Sequence, residues 1–145
     1  MNWYWLAAIT VIGGVTTAFQ AHFMGLLDQK AGTLESVFIT YASGGALISL
    51  IMLILRGGNL GAAGTAPWYA YTSGALGLVI VGTLGFSAPR LGLVTAFTIF
   101  VAAQFAMGAL VDHFGWMGAV VRPLNATRLI GMAVVLTGIW LIIRE

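Results

Sequence analysis

Residues 91–111 read LGLVTAFTIFVAAQFAMGALV, a run of 21 positions with no aspartate, glutamate, lysine or arginine. A hydrocarbon core about 30 Å thick is crossed by about 20 helical residues, each rising about 1.5 Å. The run therefore has the length and chemistry of a membrane-spanning helix. Four further stretches share that character, near residues 3–24, 34–55, 68–87 and 128–143. Together they predict an all-α integral membrane protein with five transmembrane helices.

Composition extends this reading to the whole chain. Of 145 residues 60% are hydrophobic and 7% charged, with a mean hydropathy of +1.00. A soluble domain carries about 25% charged residues. Six basic and four acidic side chains cannot coat a globular surface, so lipid is the solvent for most of it. The basic residues give a net charge of +2 but stand singly, without the clustering that nucleic acid requires. The absence of cysteine excludes disulfide and thiolate chemistry. No positive charge precedes Lys30, and no small-residue cleavage site follows the first apolar run, so that run is expected to persist as a helix. The expectation is a single transmembrane domain over residues 1–145.

Punctuation separates the windows. Charge and glycine collect at residues 25–32 and again at Arg56-Gly57-Gly58-Asn59. Thr65-Ala66-Pro67 reads as an N-cap with a first-turn proline, and Ser87-Ala88-Pro89-Arg90 as a tight interhelical turn. Asp112-His113 closes the fourth window. Aromatic rings mark window ends at Trp3, Tyr4, Trp5, Trp68, Tyr69, Tyr71, Trp116 and Trp140, where they suit headgroup depth. Gly74, Gly77, Gly82 and Gly85 predict close packing of the third helix. Residues 114–125 read as a loop on the membrane surface, with Asn125 capping the fifth helix.

Five crossings put the termini on opposite sides. Arg56, Arg122 and Arg128 then share the N-terminal side, and Lys30, Arg90 and Arg144 the other. Orientation normally follows an excess of Lys and Arg, and here there is none. The balance points either to an orientation set by a partner or to dual topology, in which the chain inserts both ways round and pairs with an inverted copy of itself. Inverted repeats build many transporters.

Polar groups within spans are costly and mark function or interhelical bonding. Gln104 is the deepest, about 12 Å along the helix from Asp112; its amide suits a polar solute or a neighbouring helix. Gln20 and His22 lie late in the first window, Gln20 as a cavity candidate and His22 as an interfacial or coupling group. Glu35 either benefits from a helix N-terminus or exchanges a proton or cation. Tyr41 sits deeper on the same helix. Asp112 caps its helix or gates a path. The expected substrate-binding set is Gln20, Glu35, Tyr41 and Gln104, with Asp112 and His22 in gating or coupling. No central carboxylate supports simple proton–cation exchange. Neither metal-ligand spacing nor a nucleophile–histidine pattern or phosphate loop appears, so no enzyme, cofactor or metal is expected.

The stretch Gln104-Phe105-Ala106-Met107-Gly108-Ala109-Leu110-Val111-Asp112-His113-Phe114-Gly115 resembles the YdcZ-like five-helix family of the drug/metabolite transporter superfamily. Those proteins carry a Gly-Gln pair, an apolar turn or two, then Asp-His-Phe-Gly. Gln20, Thr40-Tyr41 with Gly44, Ala88-Pro89-Arg90-Leu91-Gly92 and Arg128-Leu129-Ile130-Gly131 extend the similarity. Ala103, Met24, Thr33-Leu34 and Glu35 depart from it. The resemblance implies one EamA-like repeat, completed by an inverted second copy as a homodimer or by a related five-helix protein. It implies a multi-pass inner-membrane transporter of a small organic solute, working by alternating access. A non-transporting scaffold or regulatory subunit is the alternative.

Overall fold

A computed structural model describes residues 3–144. Five long helices follow in order: α1 (Trp3–Ala31), α2 (Thr33–Ile54), α3 (Ser73–Leu91), α4 (Leu93–Phe114) and α5 (Ala126–Ile143). Short 3-10 turns at Leu60–Thr65 and Trp68–Thr72 lie between α2 and α3 and one at Trp116–Gly118 between α4 and α5, and the described residues form no strand. Each of the five, α3 together with the turn before it, is long and apolar enough to cross a membrane. The fold is that of an all-α membrane protein. Leu34, Phe38, Val79 and Val94 are each more than 60% exposed; that is tolerable only where the surrounding medium is itself apolar.

Three boundaries differ from those expected. The first helix does not end near residue 24 but runs to Ala31, because Asp28 remains helical with Thr33 and Arg90 as partners while Gln29 and Lys30 are exposed. Gly32, at φ +107°, then turns the chain straight into α2; a side chain would strain that conformation. Residues 87–90 are not a turn. Helix α3 continues through Pro89 to Leu91. The proline forgoes its own backbone donor, and the helix ends two residues later. At residues 65–67 the expected N-cap is absent; Thr65 closes one 3-10 turn and Pro67, in extended conformation, precedes the next.

The chain divides after Arg90 into two compact units. In the first, α3 packs through its glycines. The Met24 side chain lies 3.1 Å from where a Cβ on Gly85 would stand, and Val37 lies 3.4 Å from that position on Gly82. The Tyr41 hydroxyl abuts Gly77, and the ring of Pro89 faces Gly25 at 3.3 Å. Three of the four glycines singled out in the sequence thus admit a neighbour; Gly74 meets nothing within 4 Å. Met24, Leu84, Ala88 and Ser36 form the small buried centre. The polar end of this unit is closed by Asp28, which accepts hydrogen bonds from Thr33 and from Arg90.

In the second unit α4 and α5 lie side by side, connected by residues 115–125. Asn125 accepts the Arg128 backbone N–H at 2.9 Å, so it caps α5 as its type favours.

Candidate functional site

The second unit holds a groove of about 710 Å³ between α4 and α5. A small-molecule site commonly occupies about 300–1,000 Å³. Ala102, Ala106, Gly108 and Ala109 on α4 and Gly131 on α5 open it by their small size, while Met132, Val135 and Leu136 make it apolar. Three polar side chains interrupt that lining: Gln104, Asp112 and Arg128. Gln104 and Asp112 stand eight positions apart on α4, about 12 Å of helix.

The polar end is built by the loop. Arg128 Nη1 stands 3.7 Å from Asp112 Oδ2, with side-chain exposures of 39% and 41%. That separation exceeds a hydrogen bond. The same Nη1 donates to the Arg122 carbonyl at 3.1 Å, and the Arg122 N–H donates to the Asp112 carbonyl at 2.8 Å. The carboxylate itself accepts no hydrogen bond from any described residue. It is held in place and left open.

The neighbouring residues fix the loop to the end of α4. His113 Nδ1 accepts the Leu124 N–H at 3.2 Å, which places the ring proton on Nε2. Phe114 stacks on Trp116, with centroids 5.3 Å apart and planes 15° apart. Gly115 ends α4 in the left-handed conformation, φ +64°, and a Cβ there would stand 2.7 Å from Val121 Cγ2. Each member of Asp112-His113-Phe114-Gly115 therefore helps fold residues 115–125 back over the groove's polar end.

Gln104 faces the groove and forms no hydrogen bond with any described residue. Bonding to α5 within this unit does not account for it. The structure thus brings Gln104 and Asp112 to one groove. The other expected residues lie in the first unit, where no hydrogen bond or ion pair joins them among the described residues. Gln20 and His22 are exposed on α1, the latter with its ring 6.0 Å from that of Phe23. Glu35 is in the first turn of α2, its carboxylate folded back over Gly32. Tyr41 is half-buried against α3, its hydroxyl without a hydrogen-bond partner among the described residues.

Arg128 as a groove residue and Asp28 as the ion-pair partner of Arg90 were not among the expected site residues. The available signal was charge placement. In a five-span chain Asp28 and Arg90 fall in connections on one side of the membrane, as Asp112 and Arg128 do on the other, so each carboxylate has a candidate cation at its own depth.

Five lipid-facing apolar helices, with a solute-sized groove beside two of them, define a multi-pass integral membrane protein. Residues 5–141 match the family described as "Putative inner membrane exporter, YdcZ", and the chain belongs to that family. It is accordingly a multi-pass protein of the inner membrane, of a membrane-transporter class. No curated protein and no solved structure matches it.

Proposed function

We propose that the chain is a secondary transporter that moves a small organic solute by alternating access, assembled as an antiparallel homodimer or as a pair with a close relative. The observation that carries this reading is the Gln104 amide, exposed on an apolar groove without a hydrogen-bond partner among the described residues. An unmet amide within a bilayer costs several kcal/mol by the order of magnitude for polar groups in hydrocarbon. A passing solute or a second copy would meet it. In the first unit Gln20 and Tyr41 offer the same unmet capacity, and Glu35 and His22 stand as coupling candidates at helix ends. Asp112, beside the loop, is the gate candidate.

Charge balance supports the inverted pair. Asp28 neutralises Arg90 and Asp112 faces Arg128. On the five-span topology this leaves Arg56 and Arg122 on one side and Lys30 and Arg144 on the other. The balance survives ion pairing.

Proteoliposomes loaded with a panel of labelled organic solutes test the transport reading: solute-specific flux that disappears in Gln104→Ala, with helicity and monodispersity retained, is the expected result. Tags on the C-terminus should be reached from both sides of the membrane if both orientations insert. The second reading, a scaffold subunit, draws on the same exposed Gln104, which a partner helix would then satisfy. It predicts no flux with any solute and stable co-purification of a different membrane protein.

A further inference from the structure

The groove's polar end has a chemistry of its own. Asp112 and Arg128 oppose each other at 3.7 Å, too far for a hydrogen bond and close enough that their charges cancel at a distance. A lone cation brought to Asp112 meets the Arg128 guanidinium beside it, and a lone anion at Arg128 meets the carboxylate. A head group carrying both charges meets an opposite charge on each side.

Both residues also have capacity to spare. Among the described residues the Asp112 carboxylate accepts no hydrogen bond, and the hydrogen bond Arg128 donates from its side chain leaves through Nη1 alone, to the Arg122 carbonyl. Beyond the pair, the wall is Leu124, Gly131, Met132, Val135 and Leu136, fitted to a hydrocarbon tail. Gln104 lies further along, about 12 Å from Asp112.

We infer that the α4–α5 groove binds a zwitterionic amphiphile, its ammonium on Asp112, its carboxylate or phosphate on Arg128 and its apolar tail running toward Gln104. This rests on the transport reading only for its consequence, since binding is measurable without flux. The same chemistry is offered by an apolar α-amino acid and by the phosphatidylethanolamine of a bilayer. A second copy of the chain is the competing occupant of the groove.

The test uses the full chain in nanodiscs of phosphatidylglycerol, which lacks an ammonium group, with radiolabelled 2-aminooctanoate as the probe. The wild type should bind 2-aminooctanoate about tenfold or more tightly than octylammonium or octanoate, as two charge-assisted contacts exceed one. Preference should then cross over. Arg128→Gln should favour octylammonium and Asp112→Asn octanoate, each losing the zwitterion. A merely structural role for the pair would weaken all three ligands together. Competition by added phosphatidylethanolamine identifies lipid as the source, and its absence identifies the free amphiphile; either outcome supports the groove's chemistry. Wild-type chain that does not bind 2-aminooctanoate, as expected were a second copy to fill the groove, overturns the inference without recourse to any variant. So does tighter binding of either singly charged ligand. Binding without flux would leave this inference standing and remove the transport reading; flux of other solutes without binding would do the reverse.

Discussion

Asp28 and Arg90, 62 positions apart in sequence, meet at 2.7 Å and tie the end of α1 to the end of α3. The pair is lopsided: the Asp28 side chain is 2% exposed and that of Arg90 48%. Thr33 donates a second hydrogen bond to the carboxylate, and Arg90 also donates to the Phe86 carbonyl while lying over the Phe86 ring. The acid is buried and dependent; the base has other company.

Removing the two partners should therefore differ in cost. Arg90→Ala strands a buried carboxylate and is expected to destabilise the chain by about 2–4 kcal/mol, whereas Asp28→Asn keeps a polar partner for Thr33 and should cost about 1 kcal/mol. Unfolding in detergent micelles measures the difference. Equal costs would show that the carboxylate's burial is not what matters.

Gly115 couples a backbone requirement to a contact. Gly115→Ala should cost about 1–2 kcal/mol from the left-handed conformation alone, and more from Val121. Adding Val121→Ala should recover the contact's share and leave the conformational share. Full recovery in the double variant would argue against backbone strain.

His113→Ala removes the acceptor for the Leu124 N–H. The loss of one hydrogen bond, about 1 kcal/mol, should speed exchange of the Leu124 amide about five- to tenfold while exchange within α4 stays constant. Unaltered exchange at Leu124 would mean that the histidine does not fasten the loop.

Gln104→Leu separates the two meanings of a polar residue in a spanning helix. With no hydrogen bond to lose among the described residues, the variant should fold as stably as the wild type or slightly better, yet lose transport. A loss of stability in the isolated chain would mean that the amide serves structure there.

The five crossings were legible because hydropathy over about 20 residues is a coarse, additive property. The end of α1 was not, because charge at residues 25–32 marks where the chain leaves hydrocarbon, not a break in its helix. Pro89 misled for a related reason: a proline signals a missing donor, and near a helix terminus that loss does not require a turn. Asp28 illustrates the limit at the level of sites. Its sequence neighbours resemble those of any interfacial loop, and only the return of α3 brings Arg90 within reach. Gln104 and Asp112 were legible as polar exceptions on one helix. Arg128 became part of their groove through α5, which local sequence does not reveal.

The 29 residues of α1 amount to about 44 Å of helix, against about 27 Å for the 18 of α5. A bilayer with about 30 Å of hydrocarbon cannot match both. The longer rod must tilt or project beyond the hydrocarbon, and Asp28, Gln29 and Lys30 lie in its last turn. Hydrophobic mismatch of this kind makes local bilayer thickness an input to the protein: a thicker membrane draws the clasp toward hydrocarbon, and a thinner one leaves it hydrated.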